Sequence, residues 1–181
     1  MRRRLVSVLV VVGCAVMPFA SAPTAVAGQS GASPPKPPAR GTWTVHDGQA
    51  LASGSMRLVK SHGHLEITGF HGRLNSFYAS QGCGPGAFTV KGSYRVHRIT
   101  VKRTHQQVWI VGKKWGARIG PGVVPDRATI SYAGKTVHAG LVMTFANHRA
   151  PKVGQLDFTN GVDLINFANH GCELGASLKH K

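Results

Sequence analysis

Acidic residues are scarce. The 181-residue chain holds 6 Asp and Glu against 22 Lys and Arg, for a formal net charge of +16 at pH 7. Such a balance favours anionic partners: nucleic acid, wall polymers, acidic polysaccharide or lipid headgroups. Sustained helical periodicity is absent, which excludes an α-rich fold. Catalytic signatures are absent as well. There is no Gly-x-Ser-x-Gly elbow and no His-Glu-x-x-His helix. Gly134-Lys135-Thr136 echoes a phosphate loop, but Thr129 stands where its first Gly belongs. No cofactor is therefore expected. Apolar runs are short, and after the N-terminal one no second span exists.

The N-terminus has the order of a secretory signal. Arg2, Arg3 and Arg4 precede an apolar run from Leu5 to Val12 that Gly13 to Phe19 prolongs, and Ala25-Val26-Ala27 supplies a small-x-small cleavage site. Residues 1–27 are read as a signal peptide of bacterial type, which places the mature chain outside the cell. Val11-Val12-Gly13-Cys14 resembles a lipobox, the alternative in which Cys14 carries a lipid anchor on the outer face of the membrane. Cleavage removes three of the basic residues and none of the acids, so the mature chain stays strongly cationic. Residues 28–41, rich in Pro, Ser, Gly and Ala, are expected to be an extended spacer. Residues 42–181 form one basic domain.

Of the 3 cysteines, Cys83 and Cys172 remain after the leader. In an oxidising compartment they are expected to pair, closing a loop of about 90 residues. Between them and around them, apolar residues alternate with polar ones in short runs bounded by turn residues. Met56 to Lys60 and Leu65 to Gly69 flank Ser61-His62-Gly63-His64, and Arg73 to Tyr78 reads as a further strand. Phe88 to Val101 changes parity near His97-Arg98, which suggests a bulge. Val108 to Val111, Ala128 to Tyr132 and Val137 to Phe145 follow. Leu156 to Phe158 and Val162 to Phe167 flank Thr159-Asn160-Gly161, read as a hairpin loop. About ten short strands with little or no helix predict an all-β antiparallel sandwich or barrel.

That last hairpin sets Asp157 opposite Asp163, and two facing carboxylates are the equipment of a glycoside hydrolase. Phe145-Ala146-Asn147-His148 and Phe167-Ala168-Asn169-His170 are near-duplicates. The second copy runs into His170-Gly171-Cys172, which resembles the nucleophile motif of the L,D-transpeptidases, exported wall enzymes with a β-rich catalytic domain. The resemblance implies Cys172 as nucleophile with a His upstream, such as His148. Asn169 stands where that family has Ser or Thr, and Glu173-Leu174 supplies no Arg after the Cys. His62, His64 and His71 cluster in sequence as candidate metal ligands. The non-catalytic alternative rests on the basic stretch carrying Arg95, Arg98, Lys102, Arg103, Lys113, Lys114, Trp115 and Arg118, where cations and aromatics interleave as in anionic-polymer sites. The leading expectation is a secreted or envelope-associated domain that binds an anionic polymer or surface through this basic face. An exported wall- or glycan-modifying enzyme is the alternative.

Overall fold

A computed structural model describes residues 35–48, 50–76, 82–100, 106–112, 124–146 and 159–181. These form ten antiparallel strands and no helix: β1 (Gly41–Asp47), β2 (Leu51–Ser61), β3 (His64–Leu74), β4 (Gly86–Lys91), β5 (Ser93–Thr100), β6 (Gln107–Val111), β7 (Asp126–Tyr132), β8 (Lys135–Phe145), β9 (Gly161–Phe167) and β10 (Cys172–His180). Eight of them close a ring in the order β2-β1-β10-β9-β8-β6-β5-β3, with β2 returning to β3. The remaining two prolong existing staves. β4 follows β5 along the edge of β3, at Leu74 to His71 where β5 takes Thr68 to Leu65. β7 likewise follows β6 along the edge of β8. The result is an up-and-down barrel of eight staves, closed where the first strand meets the last.

Two tight turns set the register. His62-Gly63 and Ala133-Gly134 both take positive φ at each central residue, the geometry that matches strand twist in two-residue hairpins. They join Ser61 to His64 and Tyr132 to Lys135. Gly69 (φ 61°) lies inside β3 and shifts its register against β2 between Ser55 and Arg57. The expected break between Leu65–Gly69 and Arg73 is therefore a bulge within one strand, which ends at Leu74, while residues 77–78 lie outside the described residues. The bulge expected at His97-Arg98 does not form. Pairing runs unbroken from Val96–Val111 to Thr100–Gln107, and the left-handed residue is Gly92 (φ 87°), between β4 and β5. Apolar parity changes past Val96 because Ile99 faces outward beside Val108, while Arg98 takes the inward position at the barrel's end.

The Thr159-Asn160-Gly161 hairpin does not form as read. β9 has β8 on one edge and β10 on the other, so Asp163 pairs with Val142 and Gly175. Asn160 is a buried peg instead. Its Oδ1 accepts from the Ala146 amide at 2.9 Å and its carbonyl from the Leu178 amide at 2.9 Å, which ties the end of β8 to β10.

The barrel interior is filled by side chains, as eight staves allow. Met56, Leu58, Ile67, Phe70, Ile130, Leu141, Met143 and Leu164 are fully buried in one apolar cluster. One end is sealed. There Phe70, Phe88, Phe167 and Tyr132 stack edge to face, with centroids 5.2 to 6.2 Å apart, a favoured aromatic geometry. Beside them the Cys83–Cys172 disulfide, with Cα atoms 6.5 Å apart, joins the segment before β4 to the start of β10.

Gly72 pairs with Phe88 across β3 and β4. A Cβ there would lie 2.7 Å from the Phe88 ring and 2.8 Å from the Ser53 carbonyl. The ring has nowhere to go, being wedged against Phe70 and Phe167. Gly72→Ala is expected to cost about 1–3 kcal/mol by overpacking, read as a lower urea midpoint at unchanged m-value.

Candidate functional site

The end opposite the disulfide is the open one. It is framed by Arg40 and Trp43 on β1's side, Lys60 at the end of β2, Leu65 on β3, Val96 and Arg98 on β5, Trp109 on β6 and Phe145 on β8. Residues 35–40, expected to be a free spacer, lie across this mouth as a strap and belong to the same compact unit as the barrel. Composition explains the fit. Pro35, Pro37 and Pro38 have no amide hydrogen to strand against an apolar surface, so the segment offers mainly carbonyl acceptors. Two indoles in the barrel wall donate to them, Trp109 Nε1 to the Pro35 carbonyl at 3.3 Å and Trp43 Nε1 to the Ala39 carbonyl at 2.9 Å. The His180 ring meets the Arg40 carbonyl at 3.1 Å.

The strap divides the mouth into two cavities. The larger, about 920 Å³, is an open groove between the strap and the ends of β2, β3, β5 and β6. Lys36, Arg40, Lys60, Arg95 and Arg98 line it, all exposed, and none of its described lining residues is acidic. Trp109, Leu65 and Val96 supply an apolar floor. Arg95 is held in place by donating from Nη2 to His64 Nδ1 at 2.7 Å. That bond fixes Nδ1 as the unprotonated ring nitrogen and leaves the arginine's charge intact. The smaller cavity, about 500 Å³, lies on the strap's other side, against Trp43, Phe145 and His180.

Of the sequence-derived basic residues, Arg95 and Arg98 come together in the groove. Lys102, Arg103, Lys113, Lys114, Trp115 and Arg118 lie outside the described residues. Sequence reading missed Lys36, Arg40 and Lys60. The first two sat in a segment read as spacer, and Lys60 is separated in sequence from the basic stretch and reaches it only through barrel closure. A Pro-rich run bearing Lys and Arg directly before a Trp-containing strand was the available signal.

The catalytic alternatives fare differently. Cys172 is fully buried and bonded to Cys83, and a bridged sulfur has no thiolate with which to attack. The nucleophile implied by the His-Gly-Cys motif is therefore not available. His148 and Asp157 lie outside the described residues. Asp163 is near Glu173, and no facing aspartate is needed to perturb it. Its side chain is exposed at the surface of β9, and partial desolvation between the flanking strands, then repulsion from Glu173, raises its pKa from the ordinary value. Its Oδ1 lies 2.8 Å from where a Cβ on Gly175 would stand, so the strand opposite carries a glycine at that point.

A carboxyl whose pKa is higher in the folded state holds its proton more tightly there. Its contribution is favourable below the unfolded pKa and is lost as pH rises through the folded value. Asp163→Asn is accordingly expected to melt higher than the parent at neutral pH and at the same temperature below about pH 3, where both states are protonated. Paired thermal melts across that range check it.

The three candidate metal-binding histidines are not brought together. His62 Nδ1 meets Ser61 Oγ at 2.9 Å, His64 accepts from Arg95, and His71 meets Ser55 Oγ at 3.1 Å and the Gly69 carbonyl at 3.0 Å. Among the described residues no group of three His, Cys, Asp or Glu side chains is placed to hold a metal, and no helix is long and apolar enough to cross a membrane.

Fold and site together define an all-β, disulfide-linked barrel with one sealed end and one cationic, strap-crossed mouth. Compared with protein-family models, curated proteins and solved structures, the chain matches none.

Proposed function

We propose that this is a non-catalytic, exported domain that binds an anionic polymer at the barrel mouth. The single observation behind the reading is the groove itself, where five exposed cations and no described acid surround an indole floor. Opposed charges at close range steer a polyanion to such a concavity, and low-dielectric walls strengthen the contact. Release of condensed counterions adds to the driving force. The leader sequence and the disulfide fit an extracellular setting, where wall polymers, acidic polysaccharides and free nucleic acid are the available polyanions.

The test is retention of the folded protein on immobilised long-chain inorganic polyphosphate across a NaCl gradient. Retention that falls steeply with salt supports the reading. Flow-through at low salt, or retention indifferent to salt, removes it. Elution with soluble polyuronate or single-stranded DNA then ranks carboxylate against phosphate and a sugar against a base-bearing chain.

A further inference from the structure

Lys36 and Arg40 stand on the strap, while Lys60, Arg95 and Arg98 stand on the barrel, and all five line one groove. Cations of one body thus face cations of the other, with no acid among the groove's described lining residues; Glu66 pairs with Arg95 across β3 and β5, outside that lining. The bonds that hold the strap involve no carboxylate: two indole N–H groups and one imidazole against carbonyl oxygens. Three prolines pre-set an extended conformation, so laying the segment down costs little conformational entropy. Docking is therefore favoured by shape and hydrogen bonding and opposed by charge. A polyanion lying in the groove reverses the sign of the opposing part, because it contacts both walls at once.

We propose that the strap is one wall of the anion site and not a plug within it, so that binding of a linear polyanion and docking of residues 35–40 onto the barrel mouth reinforce each other. The proposal rests on the polyanion reading above. Reciprocity follows from linkage: whatever factor the ligand adds to strap docking, the docked strap adds to ligand affinity. The ligand class narrows accordingly. A single phosphate ion reaches one wall, whereas a chain with charges repeated every few ångströms bridges Lys36 and Arg40 to Lys60, Arg95 and Arg98.

Two measurements on the full mature chain test this, with long-chain inorganic polyphosphate as probe and inorganic phosphate as its monomeric control. First, the variant Lys36→Gln/Arg40→Gln keeps the prolines and the carbonyl acceptors but removes the strap's charge. It is expected to bind polyphosphate about tenfold more weakly and with a shallower salt dependence, by counterion release from two fewer cations. Unchanged or tighter binding overturns the proposal, since a strap that forms one wall of the site must give up affinity with its two cations. Second, hydrogen exchange at the Trp43 and Trp109 indole N–H groups reports strap docking directly. Polyphosphate is expected to slow both by at least fivefold, and inorganic phosphate at equal total charge is expected to leave them unchanged. Faster exchange with polyphosphate means that the ligand displaces the strap, and unchanged exchange means that the two are uncoupled; either result overturns it. If the parent chain does not bind polyphosphate at all, the functional reading itself fails, and that outcome is visible in the retention assay before either measurement is made.

Discussion

Replacing Cys83 and Cys172 together by Ala is expected to lower the unfolding free energy by about 4–5 kcal/mol, on the chain-entropy treatment of a closed loop this long. The two residues are 89 apart in sequence, so without the bond the unfolded chain regains nearly the freedom of an open loop. The folded state loses little by comparison, because two alanines leave a small apolar gap where the sulfurs stood. Both positions are buried, at 1% and 0% exposure, in a sealed barrel end packed by Phe88, Phe167 and Tyr132. For a domain of this size the loss corresponds to a fall of roughly 10–20 °C in melting temperature. The check is chemical denaturation of parent and double variant under non-reducing conditions. A change below about 1 kcal/mol would show that the aromatic packing, not the bond, fixes this end. Reduction of the parent should reproduce the double variant's midpoint, since both remove the same constraint.

The second large effect concerns the mouth. The triple variant Lys60→Glu/Arg95→Glu/Arg98→Glu is expected to weaken polyphosphate binding by about 100-fold or more at low salt, and to flatten the dependence of log K on log salt by about two units. All three side chains are exposed, so each exchange should shift stability by only about 0.5 kcal/mol. Loss of binding at unchanged melting temperature would then be a property of the groove. Net charge needs its own control. Arg73→Glu/Lys91→Glu/Lys135→Glu makes the same change in total charge at exposed sites outside the groove lining. That control is expected to retain most of the affinity. Equal loss in both variants would mean that diffuse positive charge, rather than the concave site, carries the binding.

The strands were legible from alternation and turn chemistry because a half-buried strand needs a period of two. His62-Gly63 lies between the two runs it is read to join, and the structure gives both residues left-handed φ, as it does Ala133-Gly134 between the runs ending at Tyr132 and starting at Val137. Cys83 and Cys172 announced their bridge by their count together with the expected oxidising compartment. Other features depended on partners that no local pattern reveals. Thr159-Asn160-Gly161 has the composition of a hairpin loop, yet β9 gives both edges to β8 and β10, and Asn160 is buried as a peg. β10 carries the same alternation at Leu174, Ala176 and Leu178, but the His-Gly-Cys run and Gly175 interrupt the pattern at its start. Gly69 hid a bulge inside what read as a gap, and Gly92 hid a break between two strands inside what read as a uniform run. The mouth was the least legible part. Its cations come from residues 36 to 98, and they meet only because the strap folds back and the ring closes. A basic stretch in sequence found Arg95 and Arg98 but gave no account of which cations they would face.

Closure between the first and last strands has a consequence for how the chain acquires its shape. Trp43 pairs with His180 and Val45 with Leu178, so the ring has two unpaired edges until the final nine residues of β10 are present. Contacts this distant in sequence make for slow folding, and during that interval β1 and β9 are each left with an edge able to pair with another chain. Closure of the barrel thus waits on β10, the last of the ten strands in chain order. Synthesis delivers that strand after the other nine, and the barrel mouth, whose rim includes His180 and Lys179, comes into existence only once it is in place.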